Sequence, residues 1–327
     1  MQEVSLKNHL ATRLAGGGKR FIRISSYVAT PLGLIFFVVS VANGATQRDA
    51  VALSVPSWQS FSLCAALSLL YFYSVAKAYT ILPSITAQQN ISLKIGAEQA
   101  LQVLLARYVP GRIFGLTRRI QQLSDQSTSF PTAVKYSFLE TIALYSGSLL
   151  FFALIFATWA ACQERLDAAL GLAAVTFFAA PLFAHAANAA TNKFSKLSIA
   201  PQISFYDTSR LTGLFAISFG CVVAASGIIA MGDTPSVYDL PYGLTLMLVI
   251  AFSVLFGSVF SVLPAGLGTR EGLIISLSTI YIGANGVEIA IATRIASTLI
   301  EILMIPYALF LRWVVAFITI DTQANLR

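Results

Sequence analysis

Long apolar runs, separated by short polar stretches, follow one another along nearly the whole chain. Most of them reach about 20 residues, the length that an α-helix needs to cross a bilayer. They lie near Ser25–Ala42, Trp58–Ile81, Ala133–Ala161, Ala168–Ala189, Ser209–Met231, Tyr242–Leu263, Gly272–Gly283 and Ala290–Ile318. The pattern predicts an all-α, polytopic membrane protein with about eight transmembrane helices in a single domain, residues 25–318.

One further run, Ile95–Leu116, is long enough to cross but contains Glu98, two arginines and a Pro-Gly break. Loops rich in Lys and Arg stay cytoplasmic. If this run enters the membrane and returns, then Arg118, Arg119 and Lys193 all lie on the same side as the basic N-terminal stretch. We therefore expect a re-entrant segment over about residues 95–116, with both termini cytoplasmic.

The shortest run, Gly272–Gly283, leaves an alternative of seven crossings with two re-entrant segments. Before the first run, Leu6, Leu10 and Leu14 recur at helical spacing among basic residues. We expect residues 1–24 to be a cytoplasmic amphipathic segment with a short surface helix that ends at Gly16–Gly18. Residues 319–327 are expected to be a cytoplasmic tail.

The composition agrees with a membrane protein. Hydrophobic residues make up 57% of the 327 residues and charged residues only 11%, against about 25% charged in soluble domains. The net charge of +7 follows from basic cytoplasmic loops, with attraction to anionic lipid head groups as a second contribution, and we expect no nucleic-acid partner. No cofactor or metal is expected, because the cysteines and histidines lack metal or redox spacing: Cys64, Cys162, Cys221, His9 and His185.

The two halves of the chain correspond loosely. Each begins with two plain spans, continues with a Pro-Gly-interrupted segment that carries Arg and Glu, and ends with a long span that contains an acidic residue. The broken segments are "YVPGRIFGLTRR" and "LPAGLGTREG". Paired broken segments of this kind mark the binding sites of many transporters, and the repeats are inverted or parallel according to whether Gly272–Gly283 crosses.

Charged residues within the apolar runs are the main functional signal. Each costs about 2.5–3.5 kcal/mol at bilayer depth, so they must be paired, hydrated or neutralised by a ligand. They are Lys77, Glu98, Arg107, Arg112, Glu140, Arg270, Glu271, Arg294 and Glu301. Arg294 and Glu301 are spaced to share one helix face, and internal ion pairs that only fix helix packing are the alternative interpretation.

Both breaks favour binding of an anion. A helix that starts after Pro110–Gly111, or after Pro264, exposes backbone N–H groups at its positive end. Arg112 and Arg270 follow these breaks, and the planar guanidinium fork fits phosphate oxygens. The sequence therefore predicts a phosphate site within the membrane.

At these residues the chain resembles the membrane region of the lysylphosphatidylglycerol synthase family, which includes stand-alone, flippase-like relatives. The matching positions are Pro110, Gly111, Arg112, Arg118, Glu140, Pro264, Gly266, Leu267, Gly268, Arg270, Glu271 and Arg294, with Ala265 where the family pattern has Gly. The resemblance implies an eight-helix membrane fold and movement of an anionic lipid between leaflets. No soluble synthase domain is present in this sequence, so aminoacylation of phosphatidylglycerol is not expected.

The predicted function is that of a non-enzymatic flippase in the cytoplasmic (inner) membrane. Its expected substrate is a polyprenyl-phosphate-linked sugar or a modified phospholipid, with a separate glycosyltransferase chain as a possible partner. The predicted substrate-binding residues are Arg107, Tyr108, Pro110, Gly111, Arg112, Arg118, Glu140, Pro264, Gly266, Gly268, Arg270, Glu271, Arg294 and Glu301. The alternatives are a membrane glycosyltransferase with a polyprenyl-phosphate sugar donor, and a non-transporting scaffold of an envelope synthesis complex.

Overall fold

The computed structural model describes residues 57–87, 91–106, 113–125, 130–164, 171, 181–186, 189, 203–231, 240–260, 268–283 and 286–324. Within these ranges every regular element is a helix and none is a strand, which confirms the all-α prediction. The predicted surface helix, the first span and most of the span Ala168–Ala189 lie outside the described residues.

The helices of the described part fall close to the predicted runs. They are α1 (Trp58–Ala87), α2 (Leu93–Ala106), α3 (Ile113–Asp125), α4 (Phe130–Cys162), α5 (Phe205–Met231), α6 (Leu240–Phe260), α7 (Thr269–Tyr281) and α8 (Gly286–Ala324). The predicted re-entrant run overlaps two short helices, α2 and α3, which lie on either side of residues 107–112. Helix α8 continues past residue 318, the predicted end of the membrane domain.

Helices α1, α4, α5, α6 and α8 are each long and apolar enough to cross a membrane. The chain is thus a polytopic membrane protein, as predicted. Helix α7 has 13 residues and is about 20 Å long at 1.5 Å per residue. It is too short by itself to cross a hydrocarbon core of about 30 Å.

The outer surface of the helices is apolar. Leu69, Leu149 and Leu309 are at least half exposed, which suits contact with lipid tails. Trp58 lies at the start of α1 and Tyr206 near the start of α5, and both are largely exposed. Aromatic side chains at helix ends are typical of the interface between bilayer and water.

Helix α5 lies at the centre and packs against α1, α4, α6 and α8. One hydrophobic cluster joins α5 to α1, α2, the first half of α4 and the middle of α8. A second cluster joins α5 to the end of α4, to α6 and α7, and to the start of α8. The two short helical units, α2–α3 and α7, are thus held on the same central helix through different neighbours.

Two glycines allow helices to approach closely. A Cβ atom on Gly147 of α4 would lie 2.5 Å from the carbonyl oxygen of Thr212 and 2.7 Å from the amide nitrogen of Ala216, both on α5. A Cβ atom on Gly257 of α6 would lie 2.9 Å from the Cα atom of Arg270 on α7. Small residues at such crossings bring membrane helices into backbone contact, and Gly257 sets the position of Arg270.

We predict that Gly147→Ala lowers the thermal stability of the protein in detergent. The added methyl group meets backbone atoms that cannot rotate away, and overpacking of this kind costs about 1–3 kcal/mol. Gly213→Ala is the matched control, since a Cβ atom there meets nothing within 4 Å and Ala favours a helix. A melting temperature for Gly147→Ala equal to that of the control would contradict the close packing of α4 on α5.

Candidate anion-binding site

Helices α2 and α3 form a pair that packs together. They are joined by residues 107–112, which lie outside the described residues. Gln99 and Gln102 of α2 contact Arg118, Arg119 and Gln122 of α3. Along the chain, the contacting residues of α2 lie about as far before the connection as those of α3 lie after it. This spacing is expected for an antiparallel helical hairpin.

Arg119 lies at the centre of this hairpin's contacts with the rest of the protein. Its guanidinium donates to both carboxylate oxygens of Glu140 on α4, over 2.6 Å from Nε and 2.5 Å from Nη2. It also donates to Oε1 of Gln99 on α2 and, over 3.0 Å, to the carbonyl oxygen of Tyr79 on α1. The guanidinium carbon lies 4.3 Å from the centre of the Tyr79 ring, so one side chain links four helices.

This ion pair is almost completely buried, with side-chain exposures of 3% for Arg119 and 5% for Glu140. The two charges cancel, and every nitrogen of the guanidinium has a hydrogen-bond partner. A buried pair in such geometry holds its helices in place, because separating it exposes two charges to a medium that solvates neither. Arg119 and Glu140 are therefore a positioning pair for the α2–α3 hairpin.

The sequence prediction named Arg118 and not Arg119 as the site residue. Arg118 is exposed and hydrogen-bonds with Gln102 and Gln121. Successive residues on a helix point about 100° apart, so only one of the two arginines can face α4. Helical spacing could have identified Arg119 as the inward-facing arginine, since it lies four residues before the apolar Leu123, which is buried.

A second cluster of charged residues, besides the one around Arg119, lies at the start of α7. Gly268 precedes the helix with a φ of 88°, a left-handed conformation that glycine adopts readily. Its backbone N–H donates to Oε2 of Glu271 over 2.8 Å. The other carboxylate oxygen of Glu271 lies 3.5 Å from Nη1 of Arg294 on α8, so Glu271 both caps α7 and ties it to α8.

Arg270 differs from Arg119 in its partners. It is only 9% exposed, and its Nη2 donates to the hydroxyl of Ser297 over 2.9 Å and to the carbonyl oxygen of Thr293 over 3.5 Å. Both acceptors are neutral, and no carboxylate in the described part of the chain forms an ion pair with Arg270. Within the described residues, the guanidinium thus has neutral hydrogen-bond acceptors and no carboxylate in an ion pair with it, which suits binding of an anion.

Seven of the remaining predicted site residues lie outside the described residues: Arg107, Tyr108, Pro110, Gly111, Arg112, Pro264 and Gly266. Glu301 is on α8, two turns after Arg294, and is half-buried. The structure joins Arg294 to Glu271 on another helix, whereas spacing along one helix suggested Glu301 as its neighbour.

No group of three or more His, Cys, Asp or Glu side chains that could hold a metal ion occurs among the described residues. The acidic side chains at these two clusters are instead engaged by arginines. The arrangement can neutralise an anion.

We predict that Arg119→Met and Glu140→Gln each lower the free energy of unfolding by about 3–5 kcal/mol, because either change leaves its partner buried without full compensation. The double variant Arg119→Met/Glu140→Met should cost less than the sum of the single changes, since no charge then remains buried. Unfolding in detergent micelles measures both.

The adjacent Arg118→Met is the control and should stay within about 0.5 kcal/mol of wild type, because Arg118 is exposed. If the Arg119 and Arg118 variants were equally stable, Arg119 would not be the residue that holds the hairpin.

A scan against protein-family models gives no match to this chain, and a search among curated proteins gives none either. The resemblance to the lysylphosphatidylglycerol synthase membrane region thus rests on the motif residues themselves. Of these, Arg118, Glu140, Gly268, Arg270, Glu271 and Arg294 lie in the described part of the chain.

Proposed function

We propose that this protein is a flippase that moves an anionic lipid between the leaflets of the cytoplasmic membrane. The substrate is a polyprenyl-phosphate-linked sugar or a modified phospholipid. The polytopic helical fold, the two interrupted segments and the motif resemblance support this proposal. The observation that carries it is the state of Arg270.

Arg270 is a buried guanidinium whose hydrogen-bond acceptors among the described residues are both neutral, which is energetically costly. Isolated charges lose their hydration in a low-dielectric interior, and proteins normally neutralise or pair them. Here the nearest carboxylate, Glu271, is already occupied by the N–H of Gly268 and by Arg294. An anion at Arg270 would supply the missing negative charge.

Phosphate is the anion that suits this position best. The free edge of a guanidinium donates two parallel hydrogen bonds to phosphate oxygens. Arg270 is also the second residue of α7, where the exposed amides and the helix dipole favour negative charge. A lipid phosphate can reach such a position while its tail stays in the bilayer.

The proposed mechanism is an exchange of partners. In the empty protein, Ser297 and Thr293 hold the Arg270 guanidinium through neutral acceptors. When the head group arrives, its phosphate takes the free N–H groups of Arg270 and, in our proposal, those of Arg112. The lipid charge then crosses without a stage in which it is buried alone, which is the costly state.

The Arg119–Glu140 pair has a supporting role in this mechanism. It anchors the α2–α3 hairpin to α1 and α4, and the connection of that hairpin carries Arg107 and Arg112. Transport then depends on two different buried arginines, one that positions and one that binds.

We predict that Arg270→Gln slows lipid exchange in proteoliposomes by at least about 30-fold, since losing one charge-assisted contact to a phosphate is worth about 2 kcal/mol or more. Fluorescent phospholipids and short prenyl-phosphate sugars would serve as substrates. The variant should still insert and elute as wild type, because Gln can hydrogen-bond with Ser297.

Arg210→Gln is the matched control, because Arg210 is an exposed arginine of α5. Wild-type exchange in Arg270→Gln would remove the phosphate assignment. A new glycosidic product without leaflet exchange, on incubation with donor and acceptor, would instead identify a glycosyltransferase.

A further inference from the structure

The carboxylate of Glu271 contacts two groups that an anion at the start of α7 would also need. Its Oε2 atom accepts the backbone N–H of Gly268 over 2.8 Å, and its Oε1 atom lies 3.5 Å from Nη1 of Arg294. Backbone amides at a helix start and guanidinium groups are the two kinds of donor that bind phosphate oxygens. Glu271 therefore occupies part of the anion site with a charge that belongs to the protein itself.

Two arginines converge on one stretch of α8. Nη2 of Arg270 donates to the hydroxyl of Ser297 and to the carbonyl oxygen of Thr293. Arg294 lies three residues before Ser297, and residues three apart share a helix face. The charges of Arg294 and Glu271 both act on Arg270. Two like charges at such close range repel each other, and the carboxylate of Glu271 offsets that repulsion.

The contact between Glu271 and Arg294 is looser than the other buried ion pair. Arg119 binds both carboxylate oxygens of Glu140, over 2.6 and 2.5 Å, and neither side chain is more than 5% exposed. The Glu271–Arg294 contact is 3.5 Å long, and the side chain of Arg294 is 30% exposed. A long contact to a partly solvated guanidinium contributes little net free energy. An anion from outside can therefore reach Arg294 and replace the carboxylate there.

Helix α7 is held in place by backbone contacts that do not involve the side chain of Glu271. A Cβ atom on Gly257 of α6 would lie 2.9 Å from the Cα atom of Arg270. A Cβ atom on Gly286 of α8 would lie 2.4 Å from the carbonyl oxygen of Ile275. These close approaches fix the start and the middle of α7 against its two neighbours. The carboxylate of Glu271 can thus change partners while α7 keeps its position.

We infer that Glu271 is an internal competitor at the anion site: its carboxylate occupies Arg294 in the empty protein, and the arriving anion displaces it. This inference rests on the proposed function for the presence of an anion at Arg270. While the carboxylate is bound, Arg294 is closed to a ligand, so the apparent affinity falls with the fraction of molecules in which the carboxylate has left. Glu271 thereby excludes weakly bound anions, whereas an anion that engages both arginines displaces it.

The test measures binding of dimethyl phosphate to the purified protein in detergent by titration calorimetry. This probe carries the charge of a phosphodiester without a lipid tail. Glu271→Gln removes the competing charge, while its amide oxygen can still accept the N–H of Gly268. We expect this variant to bind dimethyl phosphate at least about tenfold more tightly than the wild type. If Glu271 only caps α7, the variant binds the probe equally or more weakly, and that result would overturn the inference.

Two further variants identify Arg294 as the group for which the carboxylate competes. Arg294→Gln should bind dimethyl phosphate at least about fivefold more weakly than the wild type, because the arginine becomes a ligand once Glu271 has left. It decides the question by itself if Glu271→Gln does not fold, since wild-type binding by Arg294→Gln would overturn the inference. Adding Glu271→Gln to Arg294→Gln should improve binding by less than about threefold, because changes at two interacting residues are not additive. A full tenfold gain in the double variant would show a general effect of charge and no competition.

Glu164→Gln is the matched control, because Glu164 is an exposed carboxylate in the turn after α4. It removes the same charge and should bind the probe within about twofold of the wild type, and a gain equal to that of Glu271→Gln would overturn the inference.

Lipid exchange in proteoliposomes separates this inference from the proposed function. Tighter binding by Glu271→Gln without any lipid exchange by the wild type would support the competitor and overturn the flippase proposal. Lipid exchange by the wild type without tighter binding by Glu271→Gln would overturn the competitor alone. No binding of the probe by the wild type or any variant would also overturn it.

Discussion

The rest of the structure depends on the burial of Arg119 against Glu140. Taking two charges out of water is expensive, and only a bidentate contact with further hydrogen bonds returns that cost. Here the contact spans α3 and α4, and the guanidinium also binds Gln99 of α2 and the backbone of α1 at Tyr79. Because breaking any of these contacts leaves a charge or a donor unsatisfied, four helices are constrained together. Two short helices that could not cross a bilayer alone acquire a defined place in the bundle.

The second buried arginine is held differently, and the difference is the basis of the functional proposal. Arg270 follows a left-handed glycine and lies against Gly257, where any larger residue would collide with its backbone. Glu271, its neighbour, turns away to cap the helix and to bind Arg294. The geometry thus separates an ion-paired, positioning arginine in the first half from an arginine in the second half whose hydrogen-bond acceptors, among the described residues, are neutral. In the proposed function both arginines are needed. Binding of the anion requires a positive charge without an ion-pair partner, and selectivity requires helices that are held in fixed positions.

Length and apolarity by themselves determined the class of protein and the location of its long helices, since the thickness of a bilayer sets how many apolar residues a crossing needs. They also marked Glu140, Arg270 and Glu271 as residues whose charge requires an explanation. Only the tertiary structure decided which groups meet. Arg119 reaches a carboxylate 21 residues away on another helix, and Arg294 pairs across helices with Glu271. Contacts between helices depend on their rotation and close approach, which glycines such as Gly257 set and which periodicity along a single helix does not contain.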